Sequence, residues 1–300
     1  MVSTLTAGPP RRLLLATDLS ARSDRALDRA SLLASQWNAA LTIVHALEDQ
    51  PGDDADLSAY RRRDAGAEAR ARKEILEANP AARVIIEKGD PSEVILRVAA
   101  AEGCDLIVIG VARHELLGRV FLGRTVDSLV RRAQVPVLVV RQRARRPYES
   151  IVVASDLSEL SGQALGTAQS YFSATPMTLF HAYRPPMSGL VSDPEAYRRE
   201  FRDRVSQEAQ AFLSSRDGLA PAVSRPKVVL ELGDPAQALR DYVDRAAVDL
   251  VVAGTHGRNL LVEALIGSVA KDLMTTLPCD TLLVRSASAS VTGNVPDTKP

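Results

Sequence analysis

The feature that most constrains this chain is an internal duplication. "LLLATDLSARSDRAL" at 13–27 returns as "IVVASDLSELSGQAL" at 151–165, and "LTIVHA" at 41–46 returns as "MTLFHA" at 177–182. "GDPSEVI" and "CDLIVIG", within 89–110, return as "GDPAQAL" and "VDLVVAG", within 233–254. "PVLVVR" at 136–141 returns as "DTLLVR" at 280–285. The blocks keep their order, and their offsets are 138, 136, 144 and 144 residues. A period of that size is a domain, not a solenoid repeat, so whatever fold the chain adopts must be built twice.

Within each half, short apolar runs alternate with helical patterns. The first half predicts strands over 12–17, 41–47, 82–87, 105–109 and 136–140, and helices over 21–37, 57–78, 91–103 and 124–133. The second predicts strands near 150–155, 177–182, 227–231, 249–253 and 280–284. Runs such as "DLIVIG" are continuously apolar, as expected of strands buried on both faces. "GDPSE" marks a helix start: Asp90 as N-cap, Pro91 in the first helical position, Glu93 near the positive end. Regular alternation gives right-handed crossovers and a parallel, doubly wound α/β sheet in each half. Ligands in such sheets bind beyond the carboxyl ends of strands, where strand order reverses.

Composition narrows the function. Lys+Arg and Asp+Glu are both 37, so the electrostatic footprint of a general nucleic-acid binder is missing. No apolar run is long enough to span a bilayer, and "MVSTLTAGPPRR" has no apolar core of a secretory signal. The expectation is a cytoplasmic protein without nucleic-acid or membrane partners. Cys104 and Cys279 lie far apart with no ligand-type neighbour, so they read as buried thiols of a reducing compartment. The run "RQRARR", 141–146, reads as part of a solvated linker over 141–149. His45 and His181 sit inside strands and read as satisfied core residues. The halves divide as domains 1–144 and 145–300, with 286–300 a small, polar, disordered tail.

The chemistry concentrates in "GTHGRNLLVEALIGS", 254–268. Gly254 closes a strand, Gly257 follows, and Gly267-Ser268 opens an apolar helical pattern. Glycine permits positive φ and lets an anion approach backbone N–H groups. A helix start adds unpaired amides and a positive dipole end. The Walker pattern is absent, and the glycines follow the fourth strand, not the first, so this is not the dinucleotide fingerprint.

The spacing G-x2-G-x9-G-[ST] after a fourth strand resembles the ATP-binding signature of the universal stress protein family. "ATDLSARS", "ASDLSELS", "IVHA", "LFHA" and the "GDP" helix starts resemble that family too, so the likeness covers about 10–286 as a tandem pair. The resemblance implies a five-stranded parallel sheet of order 3-2-1-4-5, flanked by helices, in each half. It implies ATP, with Mg2+ bridging phosphate oxygens. Asp156 would face the nucleoside end, with helix capping beside Ser158 as a further duty. The backbone of Ala182 would meet the adenine edge. Gly254 and Gly257 would line the ribose and phosphates, and Gly267, Ser268 and the amide of Val269 would hold the outer phosphates. Thr255 and His256 complete the candidate set. His256 has no nucleophile or metal-spaced partner nearby and reads as a positioning or surface residue.

The first half keeps Asp18, Ala46, Gly110 and Gly123 but carries Arg113 and Arg124 in place of Gly257 and Ser268, followed by Thr125. Arg113 can block a triphosphate, or supply the phosphate contacts the loop has lost. The first half is therefore expected to be the weaker site. No catalytic residue or protein-held metal is assigned. The leading reading is a regulatory nucleotide-binding protein of stress adaptation. The alternatives are a slow ATPase, self-phosphorylating or nucleotidyl-transferring enzyme, and a dimerisation protein that uses no nucleotide. The last strands are candidate edges through which the two halves pair, with a homodimer as a further possibility.

Overall fold

The computed structural model describes residues 8–19, 23–47, 80–111, 123–186, 192–216, 225–255 and 267–285, positions 69, 73 and 76, and the backbone of 115–116 and 119–120. The first half contributes strands β1 (Arg12–Ala16), β2 (Ala40–Leu47), β3 (Arg83–Lys88), β4 (Leu106–Gly110) and β7 (Val137–Val140), with a short hairpin β5 (Glu115–Leu116) and β6 (Arg119–Val120). Its helices are α1 (Asp24–Trp37), α2 (Pro91–Ala101) and α3 (Arg124–Arg132). The second half contributes β8 (Ile151–Ala154), β9 (Met177–Tyr183), β10 (Lys227–Leu232), β11 (Leu250–Gly254) and β12 (Asp280–Val284). Its helices are α4 (Glu159–Tyr171), α5 (Pro194–Ser214), α6 (Pro235–Ala246) and α7 (Ser268–Thr276). Of the helix expected over 57–78, only Ala69, Lys73 and Leu76 are described, all helical. The tail 286–300 lies outside the described residues.

The two five-stranded sheets are one sheet. Its order is β10-β9-β8-β11-β12-β7-β4-β1-β2-β3. Each half has the order 3-2-1-4-5 and is parallel throughout. The halves meet where β12 pairs antiparallel with β7, Leu282 opposite Leu138. Each last strand covers what would otherwise be the other half's open edge.

Strand periodicity sorts the side chains into two cores. Leu13 and Leu15 join α1, α4 and α5 on one face, and Leu14 and Ala16 join α2, α3, α6 and α7 on the other. Both cores run across the seam. On the first face, Trp37 at the end of α1 packs on Tyr171 and Phe172 of the second half, with centroids 5.8 and 5.5 Å apart. Helix starts follow their sequence signals. Asp90 accepts the Glu93 amide and Asp234 accepts those of Ala236 and Gln237, each with proline next in line.

The basic segment after β7 corrects the expectation of a solvated linker. Arg141 is buried, and its amide and that of Gln142 donate to Oδ1 of Asp280 at 2.7 and 3.0 Å. Tyr148, also buried, donates its hydroxyl to Oδ2 of Asp280 at 2.6 Å. Arg29 lies 3.3 Å from the same oxygen and stacks over the Tyr148 ring. Asp280 is fully buried, so it must be matched by charge and hydrogen bonds, and the segment supplies them. Arg143 and Arg146 do stay exposed.

Candidate functional site

At the carboxyl edge of the first-half sheet, a cavity of about 330 Å³ opens between β1 and β4, the strands on either side of the order reversal. Thr17, Asp18 and Ser23 form one wall, Val44 and Ala46 on β2 extend it, and Ile95 of α2 covers it. Gly110, Gly123, Thr125 and Val126 form the facing wall. Asp18, Ala46, Gly110, Gly123 and Thr125 are thus brought together. Arg124 is exposed beside them and lies near Asp90. The Asp90 carboxyl is held below its usual range, first by the Ser92 hydroxyl and the Glu93 amide and last by the Arg124 charge. Arg113 lies outside the described residues.

The wall after β1 is a strained turn used in both halves. Leu19 and Leu157 have φ of 58° and 61°, a left-handed conformation that costs a branched residue about 1–2 kcal/mol. Each is held twice. The Leu19 amide donates to Thr17 Oγ1 at 3.0 Å and the Leu157 amide to Ser155 Oγ at 2.9 Å. Both side chains pack on the core. The histidines buttress the same turns. Nδ1 of His45 donates to the Thr17 carbonyl at 2.9 Å, and Nδ1 of His181 to the Ser155 carbonyl at 2.8 Å. They are satisfied, as expected, but half-buried, not core. The Asp18 carboxylate accepts the Ser23 hydroxyl, whereas Asp156 accepts the Ser158 amide at 3.0 Å. The helix-capping side chain is that of Ser158, which accepts the Ser161 amide.

In the second half, Asp156 follows β8, Ala182 lies on β9, and Gly254 closes β11. Thr255 is buried. Its amide donates to the Val284 carbonyl and its carbonyl accepts the Gly267 amide, both at 3.0 Å, which joins the two ends of the glycine motif. Gly267 caps α7, whose first residues are Ser268 and Val269. Val269 is exposed, an apolar side chain left in solvent beside the motif. His256 and Gly257, and the side chain of Ser268, lie outside what the structure describes.

The two helix starts match. Gly123 has φ −60° and ψ 149°, and Gly267 has −58° and 146°. Any residue can adopt those angles, and a Cβ built on Gly123 meets nothing within 4 Å. Neither backbone nor packing demands glycine at 123; what its absence of a side chain preserves is room beside a helix start. Helix geometry leaves the first amides there without intrahelical partners, a fitting surface for an anion. Among the described residues, no cluster of three or more His, Cys, Asp or Glu could hold a metal.

Sequence reading missed Ser23, which lines the cavity. The D-x4-S spacing from Asp18 to Ser23 was the available signal; the same spacing from Asp156 leads to Ser161, whose hydroxyl meets Ser155 instead. A larger cleft, about 890 Å³, lies along α1 and the segment after β7. Two of its exposed arginines are paired, Arg143 with Asp28 and Arg146 with Glu149, and among the described residues no glycine lines it.

The model of the universal stress protein family matches residues 10–141 and again 147–285. The chain belongs to the universal stress protein family. It is a tandem member, with one copy in each half, and this places it among stress-response proteins. A universal stress protein of Thermus aquaticus is 36% identical over 135 residues, 44% of this chain and 98% of its own. Universal stress protein E of Escherichia coli K12 is 22% identical over 214 residues, 65% of each chain. A universal stress protein from Archaeoglobus fulgidus has the same fold across both halves, with a TM-score of 0.64, 18% identity, and 92% and 98% coverage of this chain and its own. No helix among the described residues is long and apolar enough to cross a membrane.

Proposed function

We propose that this chain is a regulatory nucleotide-binding protein that takes ATP with Mg2+, occupancy being linked to conformation or assembly. Each half has its own site, with the division between domains falling after 144, and the second half is the stronger. The observation that carries this reading is the cavity at the switch point. Asp18 and Ala46 stand on one side and Gly110 and Gly123 on the other, with unfilled space beside a helix start. Asp156, Ala182, Gly254 and Gly267 occupy the matching positions of the second half. There the family signature is intact. Asp156 would meet the nucleoside, the backbone of Ala182 the base, and the amides of Ser268 and Val269 the phosphates. The bound cation would balance charge on the phosphate oxygens. The β7–β12 edges are already used inside the chain, so a homodimer would need another surface. The outer strands β3 and β10 carry Arg83, Glu87, Lys88, Lys227 and Glu231, charges that oppose edge-to-edge addition.

The halves share one sheet, so the test belongs on the full chain. Isothermal titration with Mg-ATP is expected to show one dominant binding event. Gly257→Arg, which copies the first-half motif, should weaken it at least about tenfold, a change of about 1.4 kcal/mol. Asp156→Ala should weaken it too. A wild-type chain without ATP binding, or a Gly257→Arg variant with wild-type affinity, overturns the reading.

A further inference from the structure

The helices that start at Gly123 and Gly267 are each held at their far end by the other half. The Arg141 guanidinium, at the end of β7, donates to the Met274 carbonyl of α7. The Arg285 guanidinium, just after β12, donates to the Arg131 carbonyl of α3 at 2.7 Å. Arg141 and Arg285 occupy equivalent positions, 144 residues apart, so the contact is reciprocal across the seam. Both acceptors lie in the last turn, where carbonyls lack intrahelical donors and the dipole end is negative.

The two helices do not depend on this contact equally. Helix α3 carries Arg131 and Arg132 in its own last turn, whereas α7 has no basic residue there. The cation that complements the C-terminal end of α7 therefore comes from the first half. Arg141 is fixed for that role: its amide is on Asp280, its carbonyl accepts the Arg25 guanidinium at 3.0 Å, and the residue is buried. The backbone of β6, also first-half, lies against α7 as well.

We infer that Arg141 is a positioning residue for the second half's phosphate site, acting from the first half. This rests on the nucleotide reading above. Helix α7 has nine residues and is about 13 Å long, so Arg141 does not touch the phosphates. An anion at the N-terminal end and a guanidinium at the C-terminal end both favour the same docked, ordered helix. Each therefore strengthens the other, and occupancy of the second site becomes sensitive to the seam. The mirror residue Arg285 acts on a helix that already has its own cations, so its loss matters less.

The test is titration of the full chain with Mg-ATP and with adenosine, which has no phosphate. Arg141→Gln keeps a hydrogen-bond donor and removes the charge. It is expected to weaken ATP binding roughly three- to thirty-fold and leave adenosine unchanged. Arg285→Gln removes the mirror contact and should leave the dominant ATP site as it was. If Arg141→Gln does not fold, Arg141→Lys serves in its place, with a loss of roughly two- to threefold for ATP alone. Unchanged ATP affinity in the Arg141 variant overturns the inference, and so does an equal loss for ATP and adenosine, or an equal ATP loss in Arg285→Gln. Absence of ATP binding in the wild-type chain is a different result: it removes the nucleotide reading itself.

Discussion

The two halves are the same backbone carrying different decisions. The left-handed leucines, the histidine-to-carbonyl bonds and the extended glycine caps agree within a few degrees or tenths of an ångström. Three of the departures bear on the cavity and the seam. On the second strand, Val44 of the cavity wall corresponds to Phe180, which packs on Tyr242. At the helix start, Gly123-Arg124-Thr125 corresponds to Gly267-Ser268-Val269. Entering the last strand, Pro136 corresponds to Asp280, the buried acid of the seam. The shared turns and caps keep their geometry, while these three departures fall on the cavity wall, the helix start and the seam.

The seam offers the sharpest way to break this comparison. Asp280→Ala strands Arg29, the Tyr148 hydroxyl and two amides in a buried setting, and should cost about 3–5 kcal/mol in urea unfolding. Pro136→Ala, at the equivalent position, should cost less than about 1 kcal/mol. Equal losses would mean that the seam is not anchored asymmetrically.

The cavity wall gives the next effect. Phe180→Val removes a buried ring and should cost about 2–4 kcal/mol. Val44→Phe should place its ring in the cavity, change stability by less than about 1 kcal/mol and abolish first-half ligand binding. A cost of about 1–3 kcal/mol would instead signal overpacking, and the cavity could then not take a ligand.

The thiols give the smallest contrast. Burial pushes Cys104 up to about 11 and Cys279 up to about 12. Both are free and buried, so thiol reagents should not label the native chain at pH 8 and should label both in denaturant. The native state holds the neutral thiol. Its stability contribution is full below the ordinary value of 9.0 and is lost as pH rises toward about 11 for Cys104 and about 12 for Cys279. Cys104→Ala and Cys279→Ala should each flatten the alkaline decline, by at most about 3 kcal/mol for Cys104 and about 4 kcal/mol for Cys279. Denaturant melts from pH 8 to 12 that match wild type would remove this account.

Much of the fold was legible because its signals are local. Every strand proposed from a continuous apolar run is present within one or two residues, and the "GDP" helix starts carry the caps their sequence implied. The first-half cavity joins Asp18, Ala46, Gly110 and Gly123, residues that the repeat had already aligned with the second-half motif. The burial of Arg141 was not legible. A basic run reads as solvated until its acidic partner is known, and that partner lies 139 residues away. Nor was the capping of each last helix by an arginine of the opposite half, because it depends on two carbonyls reached only after β7 and β12 pair.

By itself, then, the sequence determined two copies of one parallel sheet, and it pointed to the carboxyl strand end of each as the proposed ligand site. Apolar periodicity, proline, glycine and capping residues act over a few neighbours, and a repeat displays them twice. The expected pairing of the last strands is present, and the tertiary structure alone decided its antiparallel register, that Asp280 gathers the intervening segment, and that Arg141 completes a helix belonging to the other half. Those contacts join residues more than a hundred positions apart, and no local preference encodes which distant charge a buried group will meet.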